Sequence, residues 1–199
     1  PFIVRWPGKV APGTTSDQPI CLTDLFATTA EIAGQEPPRG SCEDSVSFLP
    51  ALAGRKIETS RAGLIHHSVS GHFAYRQGRW KLALARGSGG WSSPQENRVS
   101  RDAPKAQLYD MAADPGEKKN LFLEEPEFAQ RLLAQLEKEV RGGRSRAGPD
   151  SSNDVENVVL WKSEQSDDRK KPNTTRKPQA RAKPAEATPP TTEKKRPNI

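Results

Sequence analysis

From Pro126 to Arg141 the apolar residues Phe128, Leu132, Leu133, Leu136 and Val140 recur at intervals of three and four. That spacing puts them on one face of an α-helix. Pro126 suits its first turn, where a missing N–H costs nothing. Earlier in the chain the apolar runs are shorter. Leu64-Ile65, Phe73-Ala74-Tyr75 and Trp80-Lys81-Leu82-Ala83-Leu84 predict three strands, with Gln77-Gly78 as a two-residue hairpin turn between the second and third. Leu108-Tyr109-Asp110 predicts a further strand. Phe2 to Trp6 reads as a short strand ended by Pro7-Gly8, and residues 9–19 as a loop. Thr23-Asp24 opens a helix with a hydroxyl N-cap, with Leu25, Thr29 and Ile32 along one side and Gly34 as its stop. Val46, Phe48, Leu49 and Leu52 make a short apolar turn that Gly54 closes. These elements predict an α+β fold, a small antiparallel sheet packed by a C-terminal helix. Trp80, Leu82 and Leu84 alternate on one side of their strand, so that side is expected to meet Leu132 or Leu136.

Composition changes this picture at one end. The chain has 199 residues, of which 33% are hydrophobic and 28% charged, a thin supply for a single core of that length. Residues 163–199 carry ten Lys or Arg against five Asp or Glu, so five of the formal +6 charges lie there. Six of the eighteen prolines fall in the same stretch, whose only apolar residues are four alanines and Ile199. This segment is expected to be a disordered basic tail. The front section is close to neutral, which argues against a globular domain built for a specific nucleic acid. No apolar run approaches the length of a membrane span. The opening run lacks a methionine and reads as the middle of a larger protein.

Candidate chemistry is sparse. His66, His67 and His72 are the only histidines. Adjacent strand residues face opposite ways, so His66 and His67 are not expected in one site, whereas His67 and His72 flank a loop and can converge. Gly87-Ser88-Gly89-Gly90-Trp91 resembles a weak anion nest of successive N–H groups, with a flexible surface loop as the plainer alternative. Cys21 and Cys42 lack metal-site spacing, and a disulfide or two free thiols remain open. The chain contains no HExxH, P-loop or GxSxG.

The order of short motifs carries more. Pro1-Phe2-Ile3-Val4-Arg5-Trp6-Pro7-Gly8 and Cys21-Leu22-Thr23-Asp24-Leu25 with Gly34 resemble consecutive segments of type I, arylsulfatase-like sulfatases. Asp44-Ser45-Val46-Ser47-Phe48-Leu49-Pro50-Ala51-Leu52 with Gly54 follows in the same order, Ser45 standing where glycine is commoner. Ala74-Tyr75-Arg76-Gln77-Gly78-Arg79-Trp80-Lys81-Leu82 is similar to the hairpin of their C-terminal sheet. Gln107-Leu108-Tyr109-Asp110 with Asp114-Pro115, Glu117 and Asn120-Leu121 is similar to the segment that follows it.

The resemblance implies the C-terminal part of an alkaline-phosphatase-like sulfatase fold whose larger N-terminal part is absent. Residues 1–60 would end the large domain, 61–162 would form the C-terminal subdomain and 163–199 the tail. A parent enzyme of this type hydrolyses sulfate esters with a formylglycine nucleophile and a calcium ion, is periplasmic or secreted, and acts on a sulfated small molecule or polysaccharide. No catalytic or metal-binding residue transfers to this chain, since Cys21 and Cys42 lie outside any C/S-x-P-x-R motif. The implied substrate contacts are His67, His72, Ser88 and Trp91, the last offering a flat apolar face for a sugar or aryl ring. Two other readings stand beside this one. The first is a related phosphonate monoester or phosphodiester hydrolase; the second is a non-enzymatic protein that binds anionic partners through its basic tail.

Overall fold

The alternation between Leu64 and Asp110 folds into an antiparallel meander of four strands, β1 (Leu64–His67), β2 (Phe73–Gln77), β3 (Trp80–Ala83) and β4 (Gln107–Asp110), in that spatial order. The computed structural model describes residues 2–38, 40–58, 61–149 and 151–162; the tail expected from residue 163 lies outside them. Among the described residues three helices accompany the sheet, α1 (Asp24–Ile32), α2 (Leu49–Leu52) and α3 (Pro126–Arg141), with a 3-10 turn at Glu96–Arg98.

Register decides which residues share a face. Ile65, Tyr75, Leu82 and Leu108 lie in one line across the sheet. Helix α3 covers this face, and Leu132, Leu136 and Ala129 are buried with Tyr75, Leu82, Leu84 and Leu108 in one core. The Trp80 and Phe128 rings stand 4.6 Å apart, so the predicted meeting of stripe and strand is present. Glu127 in the first turn of α3, with Lys138 and Arg141 in its last, complements the helix dipole.

Three local expectations are corrected. The β2–β3 turn is Gly78-Arg79 rather than Gln77-Gly78, because Gln77 pairs with Trp80. Gly78 takes φ +55°, at the first loop position where a type II′ hairpin requires glycine. Phe2–Trp6 is not a strand, since no described residue offers it a ladder, and Ile3 is 87% exposed. Thr23 makes no side-chain cap. Ser45 does that work from outside the helix, its hydroxyl accepting from Ala27 N at 2.9 Å and donating to Thr23 O at 2.7 Å. A glycine at position 45 would leave that N–H without this partner.

Helix α1 is also turned inside out relative to its apolar pattern. Its buried residues are Asp24 and Thr28, while Leu25, Phe26 and Ile32 are exposed, as is Leu22 just before the helix. Thr28 Oγ1 donates to Asp24 O and accepts from Phe48 N. Asp24 receives Cys21 N and Val46 N, both at 2.9 Å, and both arms of Arg61 at 2.7 Å. This bidentate pair, with side chains 1% and 7% exposed, pins the start of α1 to the chain just ahead of β1. A second polar seam joins Ser145 N to Asp44 Oδ1 at 2.8 Å. Cys21 and Cys42 are separate free thiols.

Candidate functional site: an alanine-floored basin on the open sheet face

The sheet face opposite α3 has two rows. The first row runs Leu64, Arg76, Lys81, Tyr109, and the second runs His66, Ala74, Ala83, Gln107. The paired alanines, with Ala85 beyond them, leave space that larger side chains would fill. The result is a basin of about 390 Å³ walled by His66, Arg76, Lys81, Gln107, Tyr109 and Ser88.

Lys81 Nζ pairs with Glu117 Oε1 at 2.6 Å. The Tyr109 hydroxyl donates to Gln107 Oε1 at 2.5 Å. Burial raises the Tyr109 pKa above its ordinary value, and the carboxylates of Glu117 and Asp114 push it the same way. His66 is held below the usual imidazole value, first by partial desolvation and then by the charges of Lys81 and Arg76. His67 is lowered by desolvation and by Lys162, against the opposing pull of Asp44.

The predicted contact residues separate by role. Ser88 lies on the basin rim with its hydroxyl donating to Ser92 O at 2.7 Å. His72 reaches the wall as a buried ring whose Nδ1 sits 3.1 Å from Leu84 O. The ring of His67 lies edge-on to Phe73, with centroids 4.1 Å apart. His66 faces the basin in the row of Ala74, whereas His67 pairs with Phe73 and rests its ring on that core residue, as alternation along β1 expects, so His67 only borders the basin at the strand's end. Trp91 stands outside the basin and is 84% exposed.

The glycine loop is a real nest, but its occupant is internal. Glu96 Oε1 accepts from Gly87 N at 2.7 Å and Gly89 N at 3.0 Å, while Oε2 accepts from Arg86 N at 3.0 Å. Gln107 Nε2 donates to Ala85 O and Gly87 O at 2.8 and 2.6 Å, and Ser88 N bonds Pro94 O. The loop is therefore fixed to the sheet rather than free, and Ser88 and Trp91 are carried on a tied platform. The sequence did not single out Arg76, Lys81, Gln107, Tyr109, Glu96 or Glu117. Alternation along β2 and β3 places the first two opposite the core residues, and that was the available signal.

No protein-family model matches the chain. It is 32% identical over 137 residues to the N-acetylgalactosamine-6-O-sulfatase of Bacteroides thetaiotaomicron, covering 69% of this chain and 26% of that protein. Over that stretch the chain is homologous to sulfatases. The steryl-sulfatase of Mus musculus is 27% identical over 179 residues, covering 81% of this chain and 28% of the relative. The chain thus spans about a quarter of the length of these curated relatives. The fold is shared with the solved structure of Ps i-CgsB in complex with k-i-k-neocarrahexaose (TM-score 0.51, 18% identity, 74% of this chain and 30% of that one). Among the described residues no three His, Cys, Asp or Glu side chains converge to hold a metal ion. With the two cysteines outside a formylglycine motif, these residues do not fit the calcium and formylglycine implied for a parent enzyme.

Proposed function

We propose that this chain is the C-terminal portion of a sulfatase, a sulfuric ester hydrolase, and that its basin and glycine loop form one wall of the substrate cleft. The observation that carries this is the identity to N-acetylgalactosamine-6-O-sulfatase over 137 residues, which reach through most of the described chain but only 26% of the relative. The remaining length would supply the nucleophile and any metal ligands. The described residues supply shape and polar contacts instead. Ser88, Trp91 and His67 would meet the alcohol part of a sulfated small molecule or polysaccharide, and the buried ring of His72 would hold the wall on which they stand. A tied loop suits that role, because a contact residue held in place loses little entropy when ligand arrives.

The test joins this chain to its own upstream coding region. The joined protein is expected to release sulfate from a sulfate ester, while the 199-residue chain alone releases none. Trp91→Ala in the joined protein should raise KM more than it lowers kcat. A joined protein that hydrolyses a phosphodiester or phosphonate monoester and no sulfate ester would overturn the proposal.

A further inference from the structure

The first row of the open face contains an arrangement that sheets ordinarily avoid. Arg76 and Lys81 are direct cross-strand partners on one face, and like charges in that position destabilise a sheet. Glu117 neutralises Lys81 at 2.6 Å. Nothing comparable serves Arg76. Its Nε donates to Gly78 O at 2.8 Å, and among the described residues no carboxylate pairs with it. The wall therefore holds a surplus positive charge. Among the described residues its two terminal guanidinium nitrogens have no hydrogen-bond partner, which leaves free the fork geometry that grips a sulfate or carboxylate. His66 lies diagonally across from Arg76, two residues along the register. Ala74, opposite His66, and Ala83 beyond it keep the floor beside Arg76 open.

We propose that Arg76, with His66 and Lys81 beside it, binds a second anionic group of a carbohydrate ligand, a sulfate or carboxylate other than the one cleaved. The identity of the ligand as a carbohydrate rests on the sulfatase reading, whereas the anion site itself rests on the geometry alone. The basin has room for a sugar unit, and Ser88 on its rim offers a hydroxyl to such a ligand. The site would select polyanionic sugar chains over singly sulfated apolar alcohols.

The test is a residue-resolved NMR titration of the full 199-residue chain. The probes are inorganic sulfate, a chondroitin 6-sulfate tetrasaccharide, its desulfated counterpart and neutral tetra-N-acetylchitotetraose. Saturable shifts at the His66 ring and Arg76 Nε–H are expected with the charged tetrasaccharides, weaker ones with free sulfate and none with the neutral sugar. Sulfated against desulfated probe distinguishes sulfate from carboxylate as the group held. Arg76→Gln should weaken tetrasaccharide binding about tenfold, the scale of one charge-assisted hydrogen bond. Arg76→Lys should restore part of it. Ala83→Leu should abolish the His66 shift by filling the floor without touching a charge. Shifts confined to Gly87–Trp91 would leave the cleft wall standing and overturn the subsite. Shifts confined to residues 163–199, or unchanged affinity in Arg76→Gln, would also overturn it. Loss of the His66 response once the upstream part is joined would mark a protein carboxylate as the true occupant and overturn the carbohydrate assignment.

Discussion

Asp24→Asn should cost far more than a one-atom change suggests. Asp24 and Arg61 form a bidentate pair with both contacts at 2.7 Å and side chains 1% and 7% exposed. Asparagine keeps one acceptor, yet it leaves the guanidinium buried without its counter-charge and turns an N–H toward existing donors. Breaking one side of a buried pair costs about 3–5 kcal/mol. In a chain of this length that lowers the unfolding midpoint by on the order of 10 °C. Arg61→Met should cost a similar amount, because it strands the carboxylate. The double variant should lose much less than the two singles added together, since neither stranded charge remains. Thermal unfolding followed by circular dichroism, with urea titration of all four proteins, completes the cycle. Single effects that simply add to within about 0.5 kcal/mol would refute the coupling. A pH series checks the sign. Burial would raise the Asp24 pKa, but the Arg61 hydrogen bonds and the N–H groups of Val46 and Cys21 outweigh it and hold the pKa below the ordinary value. The stabilisation from this group is therefore present above the unfolded carboxylate value near ~4 and is lost as pH falls through the lower folded value. Wild type should weaken in acid over that window, and Asp24→Asn should show a flatter profile.

Leu132→Ala, at 1% exposure beneath the sheet, should cost about 2–5 kcal/mol in urea denaturation, and a loss under about 1 kcal/mol would contradict its place in the core. Glu139 behaves oppositely to Asp24. Burial raises its pKa despite hydrogen bonds from Gln135 and Tyr75, so its ionisation opposes folding as pH rises from the unfolded value toward the folded one. Glu139→Gln keeps an acceptor for Tyr75 and Gln135 and should match or exceed wild-type stability at pH 7, the margin shrinking below about pH 4. Gly87→Ala would put a methyl 2.4 Å from Pro94 O, so it should speed amide exchange at Gly87 and Gly89 while sparing α3.

What the sequence disclosed follows from how local each signal is. Helix α3 was legible to the residue because its stripe, its proline and its terminal charges all lie within the helix. The four strands were legible as runs, but the hairpin turn slipped by one because Gln77 also tolerates a turn and only the ladder distinguishes it from Arg79. In α1 the periodicity identified a helix and misjudged its buried side. Asp24 and Thr28 are internal only because Arg61 and the Phe48 N–H, 37 and 20 residues away, come to meet them. The basin was hidden for the same reason. Arg76 opposite Lys81, and Ala74 opposite Ala83, are facts of register rather than of composition. Of the four named contact residues, Ser88 and His72 reach the basin wall, His67 borders it with its ring turned to Phe73, and Trp91 stands apart on the loop. Glu96 gave no signal, since a carboxylate in a polar loop looks the same whether it faces water or three backbone N–H groups.

The outward apolar side chains of α1, and Leu22 just before it, bear on how this polypeptide behaves in bulk. Leu22 is 77% exposed, and Phe26, Ile32 and Phe2 are about half uncovered. Water gains by any encounter that hides such surface, so colloidal stability and conformational stability come apart in this molecule. A preparation can retain every hydrogen bond of its sheet and still cluster. Excluded salts such as ammonium sulfate should bring it out of solution early, as they strengthen burial of apolar surface. A mild non-ionic detergent should disperse it again with its unfolding midpoint unchanged. For a chaperone patrolling exposed leucine and phenylalanine, the folded chain would carry the same invitation as an unfolded one.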